Sequence, residues 1–113
     1  MIFILEDDPA RIEWFASILG AENIDVTCDY KEAVQKLASN IYERIFLDFN
    51  ISDPKHNGID VAYDMMDMSL QCDTPIIIHS DDNYGIRHMS RILGKKHSNV
   101  EAVTFRKLGK HVN

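Results

Sequence analysis

Two clusters of acidic residues, each directly after a short apolar run, are the features of this sequence with the clearest chemistry. Glu6, Asp7 and Asp8 follow the run Ile-Phe-Ile-Leu, and Asp48 follows Ile-Phe-Leu. Uninterrupted β-branched and aromatic residues are typical of a strand buried on both faces. Carboxylates at the carboxyl ends of two such strands would meet at one edge of a parallel sheet and repel each other. A hard cation such as Mg²⁺ is the expected neutraliser, so the pattern predicts a metal site.

Apolar runs alternate with segments of helical periodicity along the chain. Asp8 and Asp29 stand where they would cap the first two helices, and Gly58 and Gly85 open the next two. The alternation predicts a doubly wound parallel sheet with right-handed crossovers and helices on both faces. The basic tail after Phe105 is too short for a full final helix. The predicted strands are residues 2–5, 24–27, 45–48, 76–79 and 100–105.

Length and composition limit what the chain can be. A chain of 113 residues with 45% hydrophobic and 27% charged residues fits one ordinary globular domain, here residues 1–113. No apolar run approaches the length of a membrane span, and no charged segment followed by an apolar one opens the sequence. We therefore expect a cytoplasmic protein without membrane contact.

Charge is divided unevenly along the sequence. Positions 1–86 hold 17 acidic against 5 basic residues, whereas positions 87–113 hold 1 against 7. The acidic part argues against direct DNA binding. The basic end is interpreted as a solvated helix face and tail, and docking of an acidic protein or a phosphate is the alternative.

The order of these residues resembles the receiver domain of two-component response regulators over nearly the whole chain. The resemblance lies in the acidic end of the first strand, in Asp48 and Gly58, and in Ser80 five residues after Pro75. It implies a single flavodoxin-like (CheY-like) α/β domain. Its five-stranded parallel sheet would have the order 2-1-3-4-5, with a truncated C-terminal helix.

The same resemblance implies a metal site with oxygen ligands. The ligand set is Glu6, Asp7, Asp48 and the backbone carbonyl of Asn50. The expected ion is Mg²⁺, with Mn²⁺ as the alternative.

A phosphoacceptor site is implied beside that metal. Asp48 would accept the phosphoryl group, and Ser80 would contact its oxygens. A basic residue after the fifth strand would contact a further oxygen. Arg106 and Lys107 compete for this role, and Lys107 is favoured. A carboxylate that attacks a phosphoryl group needs such a cation and such donors, because both reacting partners are negative.

A second resemblance is to a divergent receiver branch, the cyclic-phosphate-processing receiver domains. The pair His-Ser at positions 79–80, the later Gly85 and the shortened C-terminus match that branch. Its third-strand motif Asp-His-Asp reads Asp-Phe-Asn at positions 48–50, without the histidine and the second acid.

Two roles stay open for His79. Side chains alternate along a strand, so if Ser80 faces the site, His79 points into the helix layer as a packed histidine. If the strand end twists, His79 enters the site as a catalytic acid or base.

The favoured function is a stand-alone receiver module that accepts a phosphoryl group on Asp48 with Mg²⁺ and switches a protein partner in a phosphorelay, without being an enzyme. Its partners would be a kinase or phosphotransfer protein and a downstream target. The thinly covered last strand favours contact with a partner protein or with a second copy of the chain. The first alternative is a metal-dependent phosphoesterase that processes cyclic phosphates of nucleotides or RNA ends, with His79 as acid or base. The others are a pseudo-receiver that binds its partner without phosphorylation and, more distantly, a Toprim-like metalloenzyme.

Overall fold

Five parallel strands form one sheet in the order β2-β1-β3-β4-β5, which confirms the predicted α/β fold. The computed structural model describes residues 1–112, apart from the side chain of His111. The strands are β1 (Ile2–Leu5), β2 (Ile24–Thr27), β3 (Arg44–Leu47), β4 (Ile76–His79) and β5 (Val100–Val103). The helices are α1 (Pro9–Leu19), α2 (Tyr30–Ser39), α3 (Gly58–Asp67) and α4 (Asn83–Leu93), and two 3-10 segments cover Ala21–Asn23 and Phe105–His111.

Each of the four α-helices begins at a polar side chain that accepts a hydrogen bond from one of the first free amides. Asp8 and Asp29 cap α1 and α2, as predicted. Asn57 caps α3, and Asp82 caps α4. Because Asp82 is the cap, α4 begins at Asn83, two residues before the Gly85 predicted to open it.

The sheet has two buried faces because side chains alternate along every strand. On one face Ile4 and Phe46 pack against Phe15 of α1 and against Leu108 of the last 3-10 segment. On the other face the alternate strand residues, among them Leu5 and Leu47, pack against α2, α3 and α4. The 3-10 segment therefore covers part of the sheet where a full final helix would lie.

Strand β5 is the last strand of the sheet and ends at Val103, two residues earlier than predicted. Glu101 and Ala102 are exposed, while Val100 and Val103 are half-buried. No helix in the described part of the chain is long and apolar enough to cross a membrane.

Candidate functional site

Three polar side chains meet at the carboxyl ends of the central strands. Leu5, Leu47 and Ile78 are paired across β1, β3 and β4 in the sheet. The residues that directly follow them are Glu6, Asp48 and His79. They are 1%, 3% and 0% exposed. Each offers an oxygen or nitrogen atom, and these three atoms lie within 4.8 Å of one another. The register, and not a chance approach of loops, brings them together.

Hydrogen bonds hold Glu6 in one orientation. Its Oε1 atom lies 3.0 Å from Nε2 of His79, and its Oε2 atom accepts hydrogen bonds from the amides of Asp7 and Asp8 at 3.1 and 3.2 Å. The Nδ1 atom of His79 is buried and has no hydrogen-bond partner among the described residues. A buried nitrogen without a partner is uncommon in proteins and calls for a functional explanation.

The imidazole of His79 lies on the α1 side of the sheet. Its ring centroid is 5.4 Å from that of Phe15, and 6.4 and 6.3 Å from those of Phe46 and Phe105. Strand alternation thus directs His79 into the helix layer, as one of its two predicted roles required. Glu6 lies on the same side of the sheet, so His79 packs in the helix layer and is also part of the site.

The two carboxyl groups have opposite pKa shifts. Burial, the negative charge of Glu6 and a hydrogen bond with Glu6 raise the pKa of Asp48 to about 8. Burial would also raise the pKa of Glu6, but its hydrogen bond with and attraction to His79 outweigh this effect and lower that pKa. In the ion-free protein near neutral pH, Glu6 is therefore ionised and Asp48 holds a proton.

The backbone around Asp48 leaves no space for a side chain at position 58. The Gly58 amide donates to the Phe49 carbonyl at 2.7 Å. A Cβ atom on Gly58 would lie 2.1 Å from the carbonyl oxygen of Asp48. Glycine is required here for close backbone packing, which fixes the start of α3 against the end of β3.

A cation that the sequence analysis missed lies beside the acids. Arg11 of α1 has its guanidinium 3.9 Å from Glu6, bonded to Asp81 and 4.4 Å from the centre of the Phe105 ring. The position of Arg11 in the sequence could have indicated this. Arg11 is three residues after the cap Asp8, in the first turn of the helix that follows β1, so it lies at the same sheet edge as the acids.

The sequence profile described as "cyclic-phosphate processing receiver domain" matches residues 2–95. The chain belongs to this family. No curated protein sequence matches it significantly.

Solved receiver domains share the fold of this family member. The chemotaxis protein CheY4 of Vibrio cholerae has a TM-score of 0.71 at 15% identity, with 99% of this chain and 97% of that chain covered. The response regulator TrrA of Thermotoga maritima, bound to Mg²⁺ and BeF, has a TM-score of 0.68 at 21% identity, with 97% and 90% covered. TrrA in complex with the histidine kinase ThkA has a TM-score of 0.68 at 25% identity, with 98% and 93% covered.

Two of the metal ligands predicted for this receiver domain lie outside the cluster of three. Asp7 is half-buried, and its carboxylate accepts a hydrogen bond from Ser52 at 3.0 Å. Asn50 is exposed in the loop after β3. Metal ligation by Asp7 and by the Asn50 carbonyl remains a prediction.

The residues predicted to contact a phosphoryl group lie outside the cluster of three. Ser80 is buried, and its hydroxyl oxygen accepts a hydrogen bond from the Asp82 amide at 3.1 Å. Lys107 is exposed in the last 3-10 segment, where its amide donates to Thr104, and Arg106 is also exposed. Their contacts with a phosphoryl group remain predictions.

The residue after Asp48 has a packing role. Phe49 is half-buried and packs on the core, and its amide donates to a carboxylate oxygen of Asp48 at 2.7 Å. A Cβ atom on Gly85 would lie 2.3 Å from Cγ of this ring. Because residue 85 is a glycine, α4 leaves space for the ring of Phe49.

Proposed function

We propose that this receiver domain is a metal-dependent phosphoesterase that opens a cyclic phosphate. The observation that carries the proposal is the buried contact of His79 with Glu6, next to Asp48. It adds an imidazole to the acids at the sheet edge. The sequence alone favoured phosphoryl acceptance because Phe49 and Asn50 replace the polar pair of the third-strand motif. The family's description agrees with the enzyme alternative.

The side chains present fit a divalent ion. Adjacent ligands of one ion, each about 2.1 Å from it, stand roughly 3 Å apart, which is the distance between Nε2 of His79 and Oε1 of Glu6. Glu6, Asp48 and His79 would hold the ion. Imidazole together with carboxylate favours Mn²⁺ over Mg²⁺, which prefers oxygen ligands. Such an ion would neutralise phosphoryl oxygens and activate a water molecule.

The chain supplies the proton transfers that hydrolysis requires. A bond forms between the water oxygen and phosphorus, one ester bond of the ring breaks, and the leaving oxygen gains a proton. An imidazole whose Nε2 atom is bound to the ion cannot exchange that proton. In the alternative case, in which Glu6 and Asp48 alone hold the ion, the imidazole of His79 is free to do so near neutral pH and is the proposed acid or base. Arg11 lies close enough to Glu6 to pair with a non-bridging phosphoryl oxygen.

Turnover of cyclic nucleotides tests this function. We expect the wild-type protein to hydrolyse at least one member of a panel of 2′,3′-cyclic and 3′,5′-cyclic nucleotides with Mn²⁺ or Mg²⁺. His79→Gln should lower the rate by about 10²–10⁴-fold, the usual loss on removing a general acid or base. His56→Gln is the matched control, since His56 stacks on Tyr30 and contacts Asp60. A wild-type protein that binds Mn²⁺ but hydrolyses none of the panel would refute the proposal.

Phosphoryl acceptance by Asp48 is the second candidate function. It is supported by the place of Asp48 at the end of the central strand β3, next to the tight contact with Gly58. The solved complex of TrrA with a histidine kinase supports a kinase as the partner in that case. A homodimer through the exposed part of β5 is a further proposal for either function.

A further inference from the structure

The outward face of α4 carries a small cavity of about 270 Å³. Tyr84, Arg87, His88 and Arg91 line it. Their spacing of three and four residues places them on one side of the helix. The opposite side is buried in the core, so this row of residues faces outward.

Two arginines of this cavity have no acidic partner. Arg87 and Arg91 are exposed, and neither forms an ion pair with any carboxylate of the described residues. Arg11, by contrast, has the carboxylates of Asp8 and Asp81 within reach. Two free guanidinium groups one helical turn apart form a fork for an anion that carries several oxygens, such as a phosphate.

An aromatic surface lies beside this pair. Tyr84 is 64% exposed, and its ring centroid is 5.2 Å from that of His88 in an edge-on arrangement. This exposure leaves surface of the tyrosine ring accessible to a ligand. Exposed aromatic faces next to arginines are what proteins use to stack a nucleobase while they hold its phosphate.

We propose that this cavity binds a nucleotide, with the base stacked on Tyr84 and the phosphate held by Arg87 and Arg91. A bare phosphate would make no use of the tyrosine ring, and an acidic peptide would make no use of a stacking surface. The volume is close to the lower limit of roughly 300 Å³ for small-molecule sites, which suits one nucleotide and not a long strand.

The cavity is connected to the acid site through one aromatic contact. The Tyr84 ring lies 6.4 Å from the ring of Phe49, whose amide is bonded to Asp48. Because Arg87 and Arg91 would hold the phosphate of this nucleotide on the outer face of α4, the bound nucleotide is distinct from the cyclic phosphate that would react at the acids. Nucleotide binding by α4 therefore does not rest on the proposed function.

Calorimetric titration without metal tests the cavity alone. Wild-type protein in EDTA is titrated with AMP, adenosine, inorganic phosphate and a four-residue oligoadenylate. AMP should bind more tightly than adenosine or phosphate. Arg87→Gln/Arg91→Gln should weaken AMP binding by about tenfold or more, and Tyr84→Leu by about fivefold or more. The matched control is Lys31→Gln/Lys110→Gln, which removes two exposed charges from α2 and the last 3-10 segment and should leave AMP affinity unchanged.

Each outcome has a defined meaning. AMP binding no tighter than that of phosphate, or equally weakened in the lysine control, would overturn the proposal, as would unchanged affinity in the arginine pair variant. Oligoadenylate binding as well as AMP would identify an RNA end as the source, and weaker binding would identify a free nucleotide. His79→Gln should bind AMP like the wild type, so a loss of cyclic-nucleotide turnover is separable from a failure of the cavity.

Discussion

The Nε2 atom of His79 lies 3.0 Å from the Oε1 atom of Glu6, and both side chains are fully buried. Removing two such groups from water costs free energy that one contact does not fully recover. Apolar residues at these strand ends would give a more stable domain. The pair is therefore best explained by what it can bind and by the proton it can exchange.

Divalent ions should raise the melting temperature of the wild-type protein, with Mn²⁺ more effective than Mg²⁺ at equal concentration. An ion that binds only the folded state stabilises it, by about 2.7 kcal/mol at a hundred times its dissociation constant. The imidazole ligand favours Mn²⁺. Thermal denaturation across a titration of each ion measures this, and a flat response to both would exclude a metal site at the three residues.

Single substitutions distinguish the two possible ligand sets of this ion, the buried cluster of three and the oxygen-only set that includes Asp7. Glu6→Gln and His79→Gln should abolish most of the Mn²⁺-induced stabilisation. Asp7→Asn tests the oxygen-only site predicted from the sequence. A loss as large as that in Glu6→Gln would make Asp7 a ligand, whereas full retention would assign the ion to the buried cluster.

Asp48→Asn should stabilise the ion-free protein at alkaline pH. The folded-state pKa of Asp48 is about 8, against an ordinary value of 3.8, because of burial and the charge of Glu6. Between these values the folded state binds a proton that the unfolded state has lost, so this residue lowers stability as pH rises from about 4 to about 8. Asparagine removes that dependence. Urea denaturation in EDTA should give the variant a larger free energy of unfolding than the wild type at pH 8. This difference in free energy should shrink toward pH 4, and a difference that stays constant with pH would contradict the pKa shift.

Phosphorylation of Asp48 is tested directly by mass spectrometry. If the second candidate function holds, a small phosphodonor with Mg²⁺ should add one phosphoryl group to the wild-type protein and none to Asp48→Asn. Ser80→Ala should slow the labelling, since this hydroxyl is the predicted contact of the transferred oxygens. Equal labelling of the Asp48→Asn protein would place the acceptor elsewhere.

Gly85→Ala should destabilise the domain, because its new Cβ atom would lie 2.3 Å from the Phe49 ring. Overpacking of this kind typically costs about 1–3 kcal/mol. Gly109→Ala is the matched control, since nothing lies within 4 Å of a Cβ atom there. Adding Phe49→Leu to Gly85→Ala should recover part of the loss in urea denaturation. Additive effects of the two changes would show that the ring and the glycine do not interact.

Most of the fold could be predicted because its signals are local. Unbroken apolar runs mark the buried strands, and Asp8 and Asp29 mark helix starts by chemistry that does not depend on distant contacts. The end of β5 was less well predicted. Its side chains are only partly covered, so the apolar pattern that defines strand limits is weak there.

The site was harder to predict because it depends on relations between strands. The sequence placed Glu6 and Asp48 at one edge, but the side on which His79 lies follows from the register of β4 against β3. If the alternation of side chains is counted from the paired residues Leu47 and Ile78, and not from Ser80, His79 lies on the same side of the sheet as the acids. The contact of Arg11 with Asp81 joins residues 70 positions apart, and no local pattern indicates it.

Arg11 has one more consequence. Its guanidinium joins the acid site to Asp81, which immediately precedes the cap of α4. A phosphate bound at the acids would compete with Asp81 for the same guanidinium, and the chain leading into α4 would lose that tether. Since such coupling acts equally in both directions, a ligand on α4 that shifts Asp81 would change how tightly a phosphate is held near Glu6. Arg11 would then couple phosphate binding at the buried acids to ligand binding on the exposed face of α4.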